Sequence, residues 1–269
     1  MLWGTNNDST WSTVLSTCNG TGRGCEVFFP GGTGSGSTLT GDYLTLAGFT
    51  NQTSVPANVP GIVLRGGGHG EAGSFSSLLP SAEIVGVSRV ALVTIGTTGS
   101  GNTTSAFAVE NLGFRDPFGS GTGTAAVGQL FGGLKLLNCD HFYLGRVSLV
   151  NFSAGYGIQL DTEAGTARQT QIGSINDTYC ISCMVGISVP YDASDIDING
   201  GRFEGTVPTT NQTASIGLDL ERNNSGMTNT PLGNIRVRAG RLLTSTPAPT
   251  CLTVKAARSF KRSLSGYRQ

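Results

Sequence analysis

The chain has 269 residues, of which 41 are glycine, 7% aromatic and 13% charged. Its 17 basic and 17 acidic residues cancel to a formal net charge of zero, so no chain-wide electrostatic pull on nucleic acid is expected. No apolar run approaches the ~20 residues that cross a bilayer, so no membrane partner is expected.

Glycine, hydroxyl and β-branched side chains are weak helix formers, and this composition suits short strands joined by tight turns. Met1 to Asn6 lacks a basic segment followed by an apolar stretch, so no signal peptide is read there. One helix is predicted. Asp8 can N-cap Ser9 to Cys18, where Trp11, Val14, Leu15 and Cys18 recur at helical spacing, and Asn19-Gly20, Gly22 and Gly24 end it. Cys18 and Cys25 flank the Gly-rich turn. They either bridge in an oxidising compartment or stay as buried thiols. Strands follow at Glu26-Val27-Phe28-Phe29, Tyr43-Leu44-Thr45-Leu46 and Gly61 to Gly68.

The second half contains a repeat. Tyr156-Gly157-Ile158-Gln159-Leu160, Val185-Gly186-Ile187-Ser188-Val189 and Ile216-Gly217-Leu218-Asp219-Leu220 share one form, and their glycines recur at nearly equal spacing. Alternating strands precede each copy, at Phe142-Tyr143-Leu144, Thr170-Gln171-Ile172 and Ile196-Asp197-Ile198. A further copy begins at Ile235-Arg236-Val237 and closes with Cys251 to Val254. An earlier one begins at Phe107-Ala108-Val109 and closes with Ala126 to Leu130. Alternate residues of a strand point to opposite faces. Each copy can bury its aliphatic residues only if copies stack, each strand pairing in parallel with its equivalent ~4.8 Å away. The repeated glycine is read as permitting a tight corner into each strand. The expected architecture is all-β, a right-handed single-stranded parallel β-helix with a short N-terminal capping helix. Residues 1–24 form the cap, 25–254 the β-helix and 255–269 a basic tail, in which Lys255, Arg258, Lys261, Arg262 and Arg268 are read as solvated. Cys180 and Cys183 are CxxC-spaced without a second pair at zinc-site distance, so they are read as core or turn residues.

Asn7-Asp8-Ser9-Thr10, the helix to Cys18, Gly24 to Gly31 and Ile62 to Gly68 together resemble the opening of the pectate-lyase-like superfamily. There a capping helix covers the first coil of a parallel β-helix. That family begins with a short Gly-Asp-rich strand, and little chain precedes Asn7, which suggests that the chain starts inside the domain. Members include lyases, glycoside hydrolases, epimerases and phage tailspikes, so the resemblance implies the fold and a polysaccharide ligand rather than one chemistry. Gly68-His69-Gly70 resembles a polygalacturonase motif. In that family, however, the His follows two acidic motifs, whereas His69 precedes every candidate pair and is read as a turn residue.

Stacking the repeats places Ile158, Ile187 and Leu218 inward and Gln159, Ser188 and Asp219 in an outward ladder. Asp161, Pro190 and Glu221 form a second row at the strand exit. Asp161 and Glu221, two coils or roughly 10 Å apart at the backbone, are the candidate catalytic acid and base. Flexible side chains could reach the ~6.5–9.5 Å carboxyl separation of inverting glycosidases. Without an active site there, the row is a solvated acidic edge. Glu163, Asp192 and Asp219 lie nearby as candidate substrate contacts. Arg202 and Arg241, stacked with Ser148, could hold an anionic sugar or neutralise Glu204. Tyr143, Tyr156, Tyr179 and Tyr191 are candidates for sugar stacking or for packing at turns. No metal ligand set and no cofactor is expected, and no motif supports calcium. The preferred reading is a phage tailspike or tail fibre, a homotrimer on the virion tail that binds, or binds and cleaves, a host surface polysaccharide. The alternatives are a secreted extracellular lyase or hydrolase, and a structural stalk.

Overall fold

The computed structural model describes residues 8–21, 24–29, 54–55, 61–66, 83–85, 93–96, 104–115, 132–150, 152, 155–162, 170–183, 185–189, 193–205, 216–221, 233–238, 241–243, 252–255 and 264–265. Their strands form three sheets of eight, six and seven strands, and every pairing is parallel. One circuit shows the plan. Cys139–Gly145 lies in the eight-stranded sheet, Ser148–Val150 in the six-stranded sheet and Tyr156–Asp161 in the seven-stranded sheet. The chain then returns to the first sheet at Thr170–Asn176. A strand that returns beside its own predecessor through two other sheets is a β-helix, right-handed as parallel crossovers are. Ser105, Asp140, Gln171, Ser194 and Gly233 are partners on successive coils, and the chain between them varies widely in length. It is shortest from Gln171 to Ser194 and longest from Ser194 to Gly233. The circuit therefore tolerates large insertions.

The insertions avoid one corner. In the four described connections between the eight- and six-stranded sheets the link is always a residue pair: Asn111-Leu112, Arg146-Val147, Asp177-Thr178 and Gly200-Gly201. The first of each pair is left-handed, with φ of 50, 51, 46 and 67°. That turn aims its N–H at the next coil. Asn111 donates to the Gly145 carbonyl (3.0 Å), Arg146 to Asn176 (3.0 Å), Asp177 to Asn199 (2.9 Å) and Gly200 to Arg238 (3.1 Å). Corner hydrogen bonds thus continue the ladders of the strands, and these amides are all satisfied.

Inward residues stack in columns. Val27, Leu64, Val109, Leu144, Ile175, Ile198 and Val237 make one column of the eight-stranded sheet. Phe107, Phe142, Gly173, Ile196 and Ile235 make the next. Phe107 and Phe142 stack with ring centroids 5.8 Å apart, and Gly173 is glycine because a methyl group there would strike the Phe142 ring. The helix, α1 (Asp8–Thr21), places Leu15 and Cys18 in the same core as Val27, Ile62 and Leu64. It runs past the predicted stop at Asn19-Gly20, because Gly20 does not take the left-handed conformation of a helix cap. The Trp11 side chain, Tyr43 to Leu46, His69 and Ala126 to Leu130 lie outside the described residues. The circuit that begins at Phe107 closes with Gly132–Leu137 in the seven-stranded sheet. At the C-terminal end, Leu264–Ser265 pairs with Val237 and Arg238, so strand pairing extends into the segment read as a tail.

Cys180 and Cys183 lie in the core, as read from the sequence, and are also bonded to each other; of the two alternatives for Cys18 and Cys25, the bridge is the one formed. The short bridge coincides with a register shift between Ile181 and Cys183, which lets two sulfurs of one short strand meet. One expectation is corrected: Gly157, the first of the repeated glycines, has a different role. Gly157 is not among the residues of positive φ. A methyl group on it would collide with Cys180 Sγ and lie 2.9 Å from the Gly186 carbonyl oxygen. It supplies room for the bridge, not backbone freedom.

Candidate functional site

Sequence alternation puts a polar residue between each pair of inward aliphatics of the seven-stranded sheet, and the register stacks these polar residues in one row. Thr94 pairs with Lys135, Lys135 with Gln159, Gln159 with Ser188, Ser188 with Asp219 and Asp219 with Thr253. The predicted ladder of Gln159, Ser188 and Asp219 is therefore in register, but Gln159 is buried, not exposed on an outward face. Further along the same strands come Asp161, which pairs with Leu137, and Glu221, which pairs with Lys255.

Asp161 does not lie on a solvated edge. It is 6% exposed, and its Oδ2 lies 2.6 Å from Lys135 Nζ. Its Oδ1 accepts the Thr162 N–H at 2.9 Å. The surrounding polar groups are closed into one network. The Thr170 hydroxyl donates to the Asp161 carbonyl at 2.5 Å and accepts the Cys139 N–H at 3.3 Å. The Thr170 N–H donates to Thr162 Oγ1 at 3.2 Å, and the Asn138 N–H donates to the Asp161 carbonyl at 3.2 Å. A buried carboxylate needs a cation and donors of this kind, since desolvation alone would expel its charge. The same charge raises the neighbouring Tyr156 hydroxyl, though burial is the larger cause. Burial likewise raises the Cys139 thiol far above its ordinary value. That thiol donates to the Ile95 carbonyl at 3.3 Å.

The other predicted residues divide between two sheets. Asp219 and Glu221 are on the strand Ile216–Glu221 of the seven-stranded sheet. Arg202 and Arg241 pair with each other in the six-stranded sheet, in the row Ser148, Tyr179, Arg202, Arg241. Ser148 in that row is buried. The arginines and carboxylates therefore do not share a ladder. Glu163 and Asp192 lie outside the described residues, as do the side chains of Glu221, Asp219, Arg202 and Arg241. Among the described residues no three His, Cys, Asp or Glu side chains converge as a metal site. No described helix is long and apolar enough to cross a membrane. Sequence reasoning missed Lys135. Its signal was present, a lone lysine between Leu134 and Leu136, but its partner Asp161 belongs to the following coil.

These features define a class, a right-handed parallel β-helix with a polar row on one sheet and a buried carboxylate–ammonium pair at its exit. This is the architecture that resemblance to the pectate-lyase-like superfamily implies. No family model and no curated protein sequence matches the chain. Among solved structures it is similar to iota-carrageenase complexed to iota-carrageenan fragments, with a TM-score of 0.46 and 13% identity over 88% of this chain and 44% of that one. It is also similar to the A-module of the Azotobacter vinelandii mannuronan C-5 epimerase AlgE4, with a TM-score of 0.27 and 11% identity over 94% of this chain and 96% of that module. The chain spans less than half the length of the carrageenase.

Proposed function

We propose that the protein holds a polysaccharide along its seven-stranded sheet and cleaves it between Asp161 and Glu221. The observation that carries this reading is the in-register row of Lys135, Gln159, Ser188, Asp219 and Thr253. It is a run of residues with hydrogen-bonding side chains on consecutive coils, uninterrupted by an aliphatic residue. Asp161 and Glu221 take the parts of acid and base, one protonating the leaving oxygen while the other activates water, which requires the coil to open at the Asp161–Lys135 pair. Glu163, Asp192 and Asp219 are the proposed contacts to sugar hydroxyls, whereas Arg202 and Arg241, on the six-stranded sheet, lie off this path. No cofactor takes part.

The two disulfides favour an oxidising, extracellular setting. Within that setting the finer reading is a phage tailspike or tail fibre, trimeric along the helix axis, and a secreted lyase or hydrolase is the alternative. The burial of Asp161 in a closed network favours a third reading, a stalk that cleaves nothing. A glycan-cleavage screen read by reducing ends and by ultraviolet-absorbing uronides separates them. Loss of cleavage in both Asp161→Asn and Glu221→Gln supports the proposal, and undiminished cleavage in either variant refutes it. A monomeric mass refutes the trimeric tailspike.

A further inference from the structure

The eight-stranded sheet has an outward face that the proposed site does not use. Two rows run along it. The first is Val63, Ala108, Tyr143, Ser174, Asp197 and Arg236; the second is Arg65, Glu110, Gly145, Asn176, Asn199 and Arg238. Charge is arranged unevenly. On the N-terminal side, Arg65 is clamped between Glu26 (3.2 Å) and Glu110 (3.1 Å). On the C-terminal side, Arg236 donates twice to Asp197, at 2.6 and 3.2 Å. Between these pairs lies a patch with no charge, made of Tyr143, Gly145, Ser174, Asn176 and Asn199. Arg238 borders it beside Asn199.

The centre of this patch is an aromatic platform. Tyr143 is 40% exposed. Its ring lies over Gly145, where a methyl group would come within 2.5 Å of Cε1, 2.7 Å of Oη and 2.8 Å of Cζ. The hydroxyl end of the ring therefore lies over the Gly145 backbone while the residue stays 40% exposed, and Gly145 is buried beneath it. Beside the ring, polar groups are already oriented. Asn199 Nδ2 donates to Asn176 Oδ1 at 2.9 Å, and Asn176 Nδ2 donates to Ser174 Oγ at 2.8 Å. Among the described residues, these bonds leave the Ser174 hydroxyl proton, the second N–H of each amide and Asn199 Oδ1 available to a ligand.

We propose that this face is a second carbohydrate site, distinct from the seven-stranded sheet, and that it takes an uncharged sugar of a glycan. The axial C–H groups of a pyranose, which carry partial positive charge, suit the electron-rich face of Tyr143. Its hydroxyls suit the row of Ser174, Asn176 and Asn199. The ion pairs at either end are internally satisfied, and the exposed charges of Arg146, Asp177 and Arg238 lie at the rim, not among the five residues of the patch. A few fixed side chains on rigid strands lose little entropy on binding. Tyr143 contacts the ligand, and Gly145 is a positioning residue that leaves room for the hydroxyl end of the ring.

The test is affinity electrophoresis of the full chain in native gels that contain dextran, laminarin or galactomannan. At least one of these probes retards the wild type. Tyr143→Ala weakens that retardation about tenfold, the effect of removing a central aromatic contact. Tyr143→Phe keeps it. Gly145→Ala keeps the tyrosine but tilts its ring, and weakens binding while circular dichroism stays unchanged. Retardation persists in the Asp161→Asn/Glu221→Gln double variant, so the two sites fail independently. The proposal is overturned if none of the three probes retards the wild type, or if Tyr143→Ala binds as well as the wild type. It is equally overturned if Tyr143→Ala converts an oligomer to a monomer, since the face would then be a contact between copies.

Discussion

Lys135 is the position where a single substitution tests how Asp161 is held. Lys135→Met keeps the volume and the strand but removes the cation 2.6 Å from Asp161 Oδ2. The Asp161 side chain is 9% exposed and that of Lys135 21%, so water cannot replace the ammonium without opening the coil. Removing one partner of a buried pair costs about 3–5 kcal/mol. The Thr162 N–H remains on Oδ1 and Lys135 is partly solvated, which places the expected loss near about 3 kcal/mol. Asp161→Asn should cost less, about 1–2 kcal/mol, because the freed lysine can extend to water. The double variant should cost less than the sum of the singles, since neither charge is then left unpaired. A solenoid opens locally, so the assay is hydrogen exchange at the Asn138, Thr162 and Thr170 amides beside global denaturation. The Lys135→Met loss corresponds to roughly a hundredfold faster exchange at these three sites. Exchange within about threefold of the wild type, or strictly additive single and double variants, would refute the claim that the pair stitches adjacent coils.

Two further outcomes follow from particular residues. Ile172 is β-branched yet left-handed, with φ of 52°, and it is 42% exposed. Ile172→Asn should raise stability in urea denaturation by about 0.5–1 kcal/mol, because asparagine tolerates that conformation and little packing is lost; a lower midpoint would contradict this. Cys139 and Tyr156 both ionise less readily in the folded chain than in an unfolded one. Their contribution is present in full below their unfolded values and is lost as pH rises above roughly 9–10. Urea midpoints should therefore fall in that range, and less steeply in Cys139→Ala; a flat profile to about pH 11 would oppose the assignment.

How much was legible in advance depended on distance along the chain. Alternation within single strands showed Ile158, Ile187 and Leu218 as inward and Gln159, Ser188 and Asp219 as one ladder, because strand period and coil repeat are both local patterns. The Glu26–Phe29 strand and the body of α1 were readable for the same reason. Glycine was readable as a position but not as a cause. Gly157 carries no unusual φ, and its reason is a disulfide in the following coil. The Cys180–Cys183 bridge depends on a register shift that spacing does not encode.

The right-handed parallel β-helix with its helical cap was therefore determined by the sequence itself. Period-two alternation, repeated from coil to coil, buries its aliphatic side chains only when the coils stack. Tertiary structure alone decided which polar residues meet. The coils differ in length because their connections do, and those connections bring Lys135 against Asp161 and lay Tyr143 beside Ser174 and Asn176. The physical reason is that burial is specified residue by residue along a strand. A contact between coils is specified only once every intervening connection has closed.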